Sequence, residues 1–330
     1  MNLAKVAAAV ALIGLAGALP ACGGLSNEEL QALAVLPDGH LAVQAPEDDG
    51  QALGANGPGN ASAPLTGPGI VRQANVTAAV LNLYLAQVVA HIQSIAQRRP
   101  SSRAGHRFVW GPFPIRGRYF ARVTIGRDPT ATCPGEAAAV DDGQPRFRFT
   151  VELSDATTGT FRGVVTGQVH GSDFDHSCGS LTFDKSVDQA FGGAAALHDP
   201  ASVTIGWTRD DTAHALDVQL SYADHGGSDL VGGVDYQFER GPSNEHRQFA
   251  FVAPVNLVRG SALENLHAAV QWSGAHATAG RADYQLDGGD VVGVLKGTAC
   301  WNGRERYRDD WTGLTGDPSV CGAFEALPPP

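Results

Sequence analysis

Between residues 70 and 99, apolar positions recur at alternating steps of three and four. Val71, Ala74, Ala78, Leu81, Leu85, Val88, Ile92 and Ile95 form a stripe that predicts an amphipathic helix with a long buried seam. Arg72, Gln73, Gln87, His91, Gln93 and Gln97 make this segment too polar to span a membrane. Arg98 and Arg99 suit a helix C-terminus, and Pro100 ends the helix. The seam could pair two copies, but the flanking charges of a zipper are missing and sheet-like segments follow, so the expected contact is internal.

From His106 onward the period falls to two. Phe147, Phe149, Val151 and Leu153 alternate with Arg146, Arg148, Thr150 and Glu152. Similar alternation runs through Val203–Trp207, Leu216–Tyr222, Val234–Phe238 and Leu266–Trp272. Such segments are half-buried antiparallel strands, with one face packed and one wet. Turn clusters separate them, among them Asp141-Asp142-Gly143, Asp224-His225-Gly226-Gly227 and Asp287-Gly288-Gly289. These signals predict about eleven strands. The expected fold is mainly β with one long α-helix. It is a curved antiparallel meander, half-barrel-like, whose apolar face is covered by helix 70–99.

The N-terminus changes the picture. One positive charge at Lys5, an apolar run from Val6 to Leu19 and a small residue at Ala21 make a secretory signal peptide. The run is too short to span a bilayer, which takes about 20 residues. Leu19-Pro20-Ala21-Cys22 resembles the lipobox of bacterial lipoproteins. The resemblance implies diacylglycerol on the Cys22 thiol, cleavage between Ala21 and Cys22, and usually acylation of the new amine. Two or more acyl chains anchor stably, which one does not. Ser26 and Glu29 have the spacing of a capping box, predicting a short helix. Residues 46–69, rich in Pro, Gly, Ala and Asn, are expected to be a flexible linker spanning roughly 25–30 Å, letting the body stand off the bilayer. The expected organisation is a signal peptide at 1–21, a lipidated N-terminus at 22–45, the linker at 46–69 and one helix-plus-sheet domain at 70–330.

Charge and cysteines narrow the function classes. The formal net charge is −11 and becomes one unit more negative once Lys5 is removed, which argues against a nucleic-acid partner and against broad contact with anionic lipid. Beyond Cys22 the cysteines are Cys133, Cys178, Cys300 and Cys321. An even number in an exported chain suggests two disulfides with three possible connectivities. Proximity favours Cys300–Cys321, which leaves Cys133–Cys178. Each bridge would contribute roughly 3–4 kcal/mol. A cysteine metal site is not favoured, since no Cys-x-x-Cys pair occurs.

No Gly-x-Ser-x-Gly, His-Glu-x-x-His, P-loop or Gly-x-Gly-x-x-Gly motif is present. The densest cluster of reactive side chains is His170-Gly171-Ser172-Asp173-Phe174-Asp175-His176-Ser177-Cys178. His170, Asp173, Asp175 and His176 could hold a divalent cation, although the same residue types also make a polar hairpin loop. Arg304, Glu305, Arg306, Arg308, Asp309 and Asp310 form a mixed-charge segment that is usually a solvated strand. Trp110, Trp207, Trp272, Trp301 and Trp311 could line an apolar pocket, but their places on apolar strand faces point to the core.

The C-terminal two-thirds resembles a group of uncharacterised lipoproteins from myxobacteria and related bacteria. The shared features are the lipobox, the linker, the helix, Trp110-Gly111-Pro112, Gly179-Ser180-Leu181-Thr182-Phe183-Asp184, and Cys300-Trp301 with Cys321. This resemblance implies no activity. The helix-on-sheet plan is also similar to the lipoprotein carriers and acceptors of Gram-negative envelopes. The leading expectation is a non-enzymatic envelope lipoprotein without cofactor, a binding or structural module anchored through Cys22. The expected position is the outer membrane, facing the periplasm or the cell surface. Its partner would be an envelope protein or a hydrophobic ligand. The alternatives are a carrier of a hydrophobic or lipid ligand in the concave face of the sheet, and a metal-dependent hydrolase using the His170–His176 loop.

Overall fold

Among the described residues fifteen strands follow one another in chain order, each paired antiparallel with its sequence neighbours. The computed structural model describes residues 25–37, 41–43, 67–96, 98–139, 141–193, 200–211, 213–221, 231–240, 245–255, 262–273, 279–302, 305–322 and 324–327. The first half of the ladder comprises β1 (Ser102–Ala104), β2 (Arg107–Arg116), β3 (Tyr119–Arg127), β4 (Arg146–Asp155), β5 (Phe161–Gly171), β6 (Ser177–Asp184) and β7 (Ser202–Arg209). The second comprises β8 (Ala213–Ser221), β9 (Val231–Arg240), β10 (Glu245–Val255), β11 (Glu264–Ser273), β12 (Ala279–Asp287), β13 (Val294–Asn302), β14 (Glu305–Asp310) and β15 (Gly313–Thr315). The helices are α1 (Asn27–Ala34), α2 (Gly67–Ala96) and α3 (Lys185–Ala190), and a 3-10 turn spans Pro318–Cys321. The strand count exceeds the expected eleven because the added strands carry little periodic signal. Both β1 and β15 are three residues long and exposed throughout, and only pairing with a neighbour makes them strands.

Where side chains are described, the apolar faces of the period-two segments are buried; Tyr222 and the side chains of Val234, Tyr236 and Phe238 lie outside the described part. On β4, Phe147, Phe149, Val151 and Leu153 are buried, while Arg148 is exposed and Thr150 and Glu152 are partly so. A single buried cluster takes in side chains from β2 to β8 and from β10 to β13, together with Ile70, Ala74, Ala78, Leu81, Leu85, Val88 and Ile92 of α2. Tyr84 and Val89 widen the buried stripe of α2. The seam is therefore an internal contact with the sheet. α2 is displaced three residues toward the N-terminus from the expected 70–99. Pro68, at its second position, is pre-set for a first turn. Downstream, the carbonyl of Arg98 turns away to accept the indole N–H of Trp110 at 2.9 Å. Among the described residues no helix is long and apolar enough to cross a membrane.

The N-terminal segment belongs to this core as well. Ser26 and Glu29 form the reciprocal capping box of α1, and Ala32, Val35, Leu36, Leu41 and Val43 are buried in the main cluster. Glu29 is fully buried and receives Arg103 through Nε and Nη2. Asn82 of α2 clips residue 43 by two hydrogen bonds, accepting from the Val43 N–H at 2.7 Å and donating to its carbonyl at 2.8 Å. The expected linker thus joins two segments docked on one body, and its last residues, 67–69, are already helical. It does not separate the body from residue 26. Cys22, the signal peptide and residues 46–66 lie outside the described residues.

Candidate site around His170 and the Cys133–Cys178 pair

Strand β5 ends at His170 and Gly171, and β6 starts at Ser177, so residues 172–176 form the hairpin loop that the sequence singled out. Phe174 anchors the loop: its ring is buried beside Trp207, at a centroid distance of 6.2 Å. Ser177 Oγ donates to the Phe174 carbonyl at 2.8 Å and accepts the indole N–H of Trp207 at 3.1 Å. An apolar plug thus fixes a polar loop.

The four proposed ligands do not converge. His170 is buried on the β4 side, with Nε2 3.0 Å from Asp142 Oδ1. Asp175 points the other way and accepts from Arg209 Nη2 at 2.7 Å. His176 is clasped between Asp173 and Asp211, each at 2.9 Å. The Asp173 contact, seconded by Asp211, holds the His176 imidazole above the ordinary histidine range. Asp173 is correspondingly held low by His176. Two of the predicted ligands share a hydrogen bond, and the set as a whole is divided among three groups of partners. The reason is the hairpin: successive side chains leave a tight loop in different directions.

A different grouping forms around His170. Cys133 and Cys178 are bonded, with Cα atoms 5.4 Å apart, and Cys300 pairs with Cys321. His170 Nδ1 lies 3.6 Å from Cys133 Sγ and 3.8 Å from Cys178 Sγ. These three ligand atoms all lie within 4.8 Å of one another, and they form the group with metal-ligand chemistry found among the described residues. The β3–β4 connection is itself braced. Glu136 accepts the Cys133 N–H at 2.8 Å and Arg146 Nη1 at 3.2 Å, and Arg146 also donates to the Ala131 carbonyl at 2.6 Å. The Cys133 N–H and then Arg146 keep Glu136 below the usual carboxylate range. The Gln144 N–H and then His170 do the same for Asp142. Sequence reading identified His170 but not Asp142, which stood within a turn cluster 28 residues away. Nothing local marks a turn aspartate that also holds a histidine.

The other candidates resolve into structure. Trp110, Trp207, Trp272 and Trp301 are buried in the main cluster, with Trp311 packed against it. On β14, Asp310 accepts the Tyr284 hydroxyl at 3.0 Å, and Tyr307 packs on the Cys300–Cys321 pair. Arg304 lies outside the described residues.

The polar face of the sheet carries its own pattern. Thr124, Thr150, Thr166, Thr182 and Thr204 stand directly opposite one another on β3 to β7. Two shallow grooves cross this face. One is bordered by His106, Arg107, Arg127 and Arg148, the other by Arg148, Thr166, Gln168 and Thr182. Compared with protein families, with curated proteins and with solved structures, the chain matches none.

Proposed function

We propose that this chain is a lipid-anchored envelope lipoprotein, a non-enzymatic binding or structural module whose body rests directly against the membrane. The observation that carries the reading is the docking of residues 25–37 and 41–43. Ser26 is fixed to the body through the capping box and the Glu29–Arg103 pair. Three residues separate it from the lipobox cysteine, Cys22, a reach of about 14 Å at full extension over the four Cα–Cα steps. In this reading the meander curves as a half-barrel, with α2 against its apolar face. The polar face, with its threonine row and grooves, is the surface offered to an envelope partner. The carrier alternative is less well supported, because the apolar face it needs is filled by the α2 seam and by Trp110, Trp207 and Trp272. An outer-membrane position, facing the periplasm or the surface, completes the proposal.

The test is Cys22→Ser in the native host. The expected variant stays in the aqueous phase on detergent partitioning and keeps its signal peptide or is cut elsewhere. Partitioning of the variant into the detergent phase like the parent would overturn the anchor.

A further inference from the structure

We infer that Cys133, Cys178 and His170 form a redox-gated site for a soft divalent cation of the zinc class. The disulfide is its closed state and the dithiol its binding state. In a tetrahedral zinc site with metal–sulfur and metal–nitrogen bonds of about 2.3 and 2.1 Å, the sulfur–nitrogen edges are about 3.6 Å. The two edges here measure 3.6 and 3.8 Å. Only the sulfur–sulfur edge has to open, and the two backbones already stand at a separation that side-chain rotation can serve.

The histidine is prepared for this role. With Nε2–H donated to Asp142, Nδ1 presents its lone pair to the two sulfurs. A disulfide has no proton to offer that lone pair, whereas two thiols or a cation would satisfy it. The Asp142–His170 contact is the carboxylate–histidine arrangement that orients a metal-bound imidazole and raises its basicity. His170 and Cys133 are both buried, so the site is largely dry. Glu136 and Arg146 hold the Cys133 backbone in place, independently of the state of the sulfurs.

The chemistry balances in two steps. A dithiol reductant delivers two electrons and two protons to the Cys133–Cys178 bond, giving two thiols and the oxidised reductant. A divalent cation then displaces both thiol protons and takes the Nδ1 lone pair, leaving a fourth position for water or an outside ligand. An external disulfide oxidant then accepts the two electrons by thiol–disulfide exchange and leaves as two thiolates, and the re-formed Cys133–Cys178 bond expels the cation. The site does not depend on the lipid anchor.

The experiment is a cobalt(II) titration of the purified full chain in detergent, with and without prior reduction. The reduced chain is expected to bind one cobalt per molecule, with a thiolate-to-cobalt charge-transfer band, and the oxidised chain none. The band should survive Cys300→Ser with Cys321→Ser and vanish in Cys133→Ser with Cys178→Ser. Asp142→Asn should weaken binding by about 10–100-fold. Absence of the band in a reduced chain that keeps its circular dichroism would overturn the proposal. Binding that persists without Cys133 and Cys178 would do so as well. If reduction unfolds the chain, zinc added during reduction is expected to restore the fold, and failure of that rescue counts against the site.

Discussion

Trp207 lies across Gly179 on the neighbouring strand, the two being register partners. A Cβ at Gly179 would stand 2.5 Å from the Trp207 ring and 2.5 Å from the carbonyl oxygen of Gln168. The ring could tilt, but the backbone oxygen cannot withdraw without disturbing β5. Gly280 has the same relation to Trp301, and such aromatic-over-glycine pairs stabilise sheet positions that would otherwise leave a gap. Gly179→Ala should therefore cost about 1–3 kcal/mol, the usual price of overpacking, and thermal unfolding followed at Trp207 fluorescence would measure it. An unchanged melting temperature would mean that the close approach is relaxed in solution. The second residue is His176. Its folded-state pKa is raised by Asp173 and then Asp211, so the clasp is fully present below the ordinary histidine value of about 6.5. It is lost as pH rises through the folded-state value. An NMR titration of the imidazole should place its midpoint above 6.5, and Asp211→Asn should lower it. A midpoint at or below 6.5 in the parent protein would contradict the clasp.

At the scale of elements, α2 decides the integrity of the body. Leu85 is 1% exposed and sits midway along the buried stripe. An aspartate there would be desolvated, and it would either stay protonated or break the contact. Together with the lost apolar contacts, Leu85→Asp should cost roughly 3–5 kcal/mol, a large part of a net stability of about 5–15 kcal/mol. Limited proteolysis should then cut from Trp110 onward, within the strands. Analytical ultracentrifugation separates this from the alternative: a folded, protease-resistant monomer derived from a parent dimer would make the seam a partner surface. The existence and type of α2 were legible because seven of the eight predicted seam positions have described side chains, six buried and Val71 packed at the edge. Its start was less legible, because Gly67-Pro68-Gly69 reads locally as linker and becomes helix only once the following turns are packed.

For the whole molecule, the position of the 46–66 segment in the chain path has a direct consequence under the anchoring proposal. It joins two segments that are both docked, so lengthening it adds only loop entropy. Doubling its length should cost about 0.6 kcal/mol and leave the body as close to the bilayer as before. Inserting the same residues between Cys22 and Ser26 should lift the body away. Quenching of a fluorophore at Leu30, which is 51% exposed, by headgroup nitroxide lipids reads both cases. Equal loss of quenching from the two insertions would mean that α1 does not hold the body down.

The sequence by itself determined the local periods, and with them the helix seam, the strand faces and the capping box of α1, because each depends on residues within one turn or one pleat. It also narrowed the cysteines to a preferred pairing, which is the pairing found. Tertiary structure alone decided that residues 25–37 and 41–43 join the core, that the four candidate ligands from His170 to His176 part company, and that His170 meets Asp142 and two sulfurs. The contacts of Arg103 with Glu29 and of His170 with Asp142 and Cys133 cross gaps of 28 to 74 residues. A sequence period cannot encode such gaps, because they are set by which strand faces and loops the completed ladder brings together.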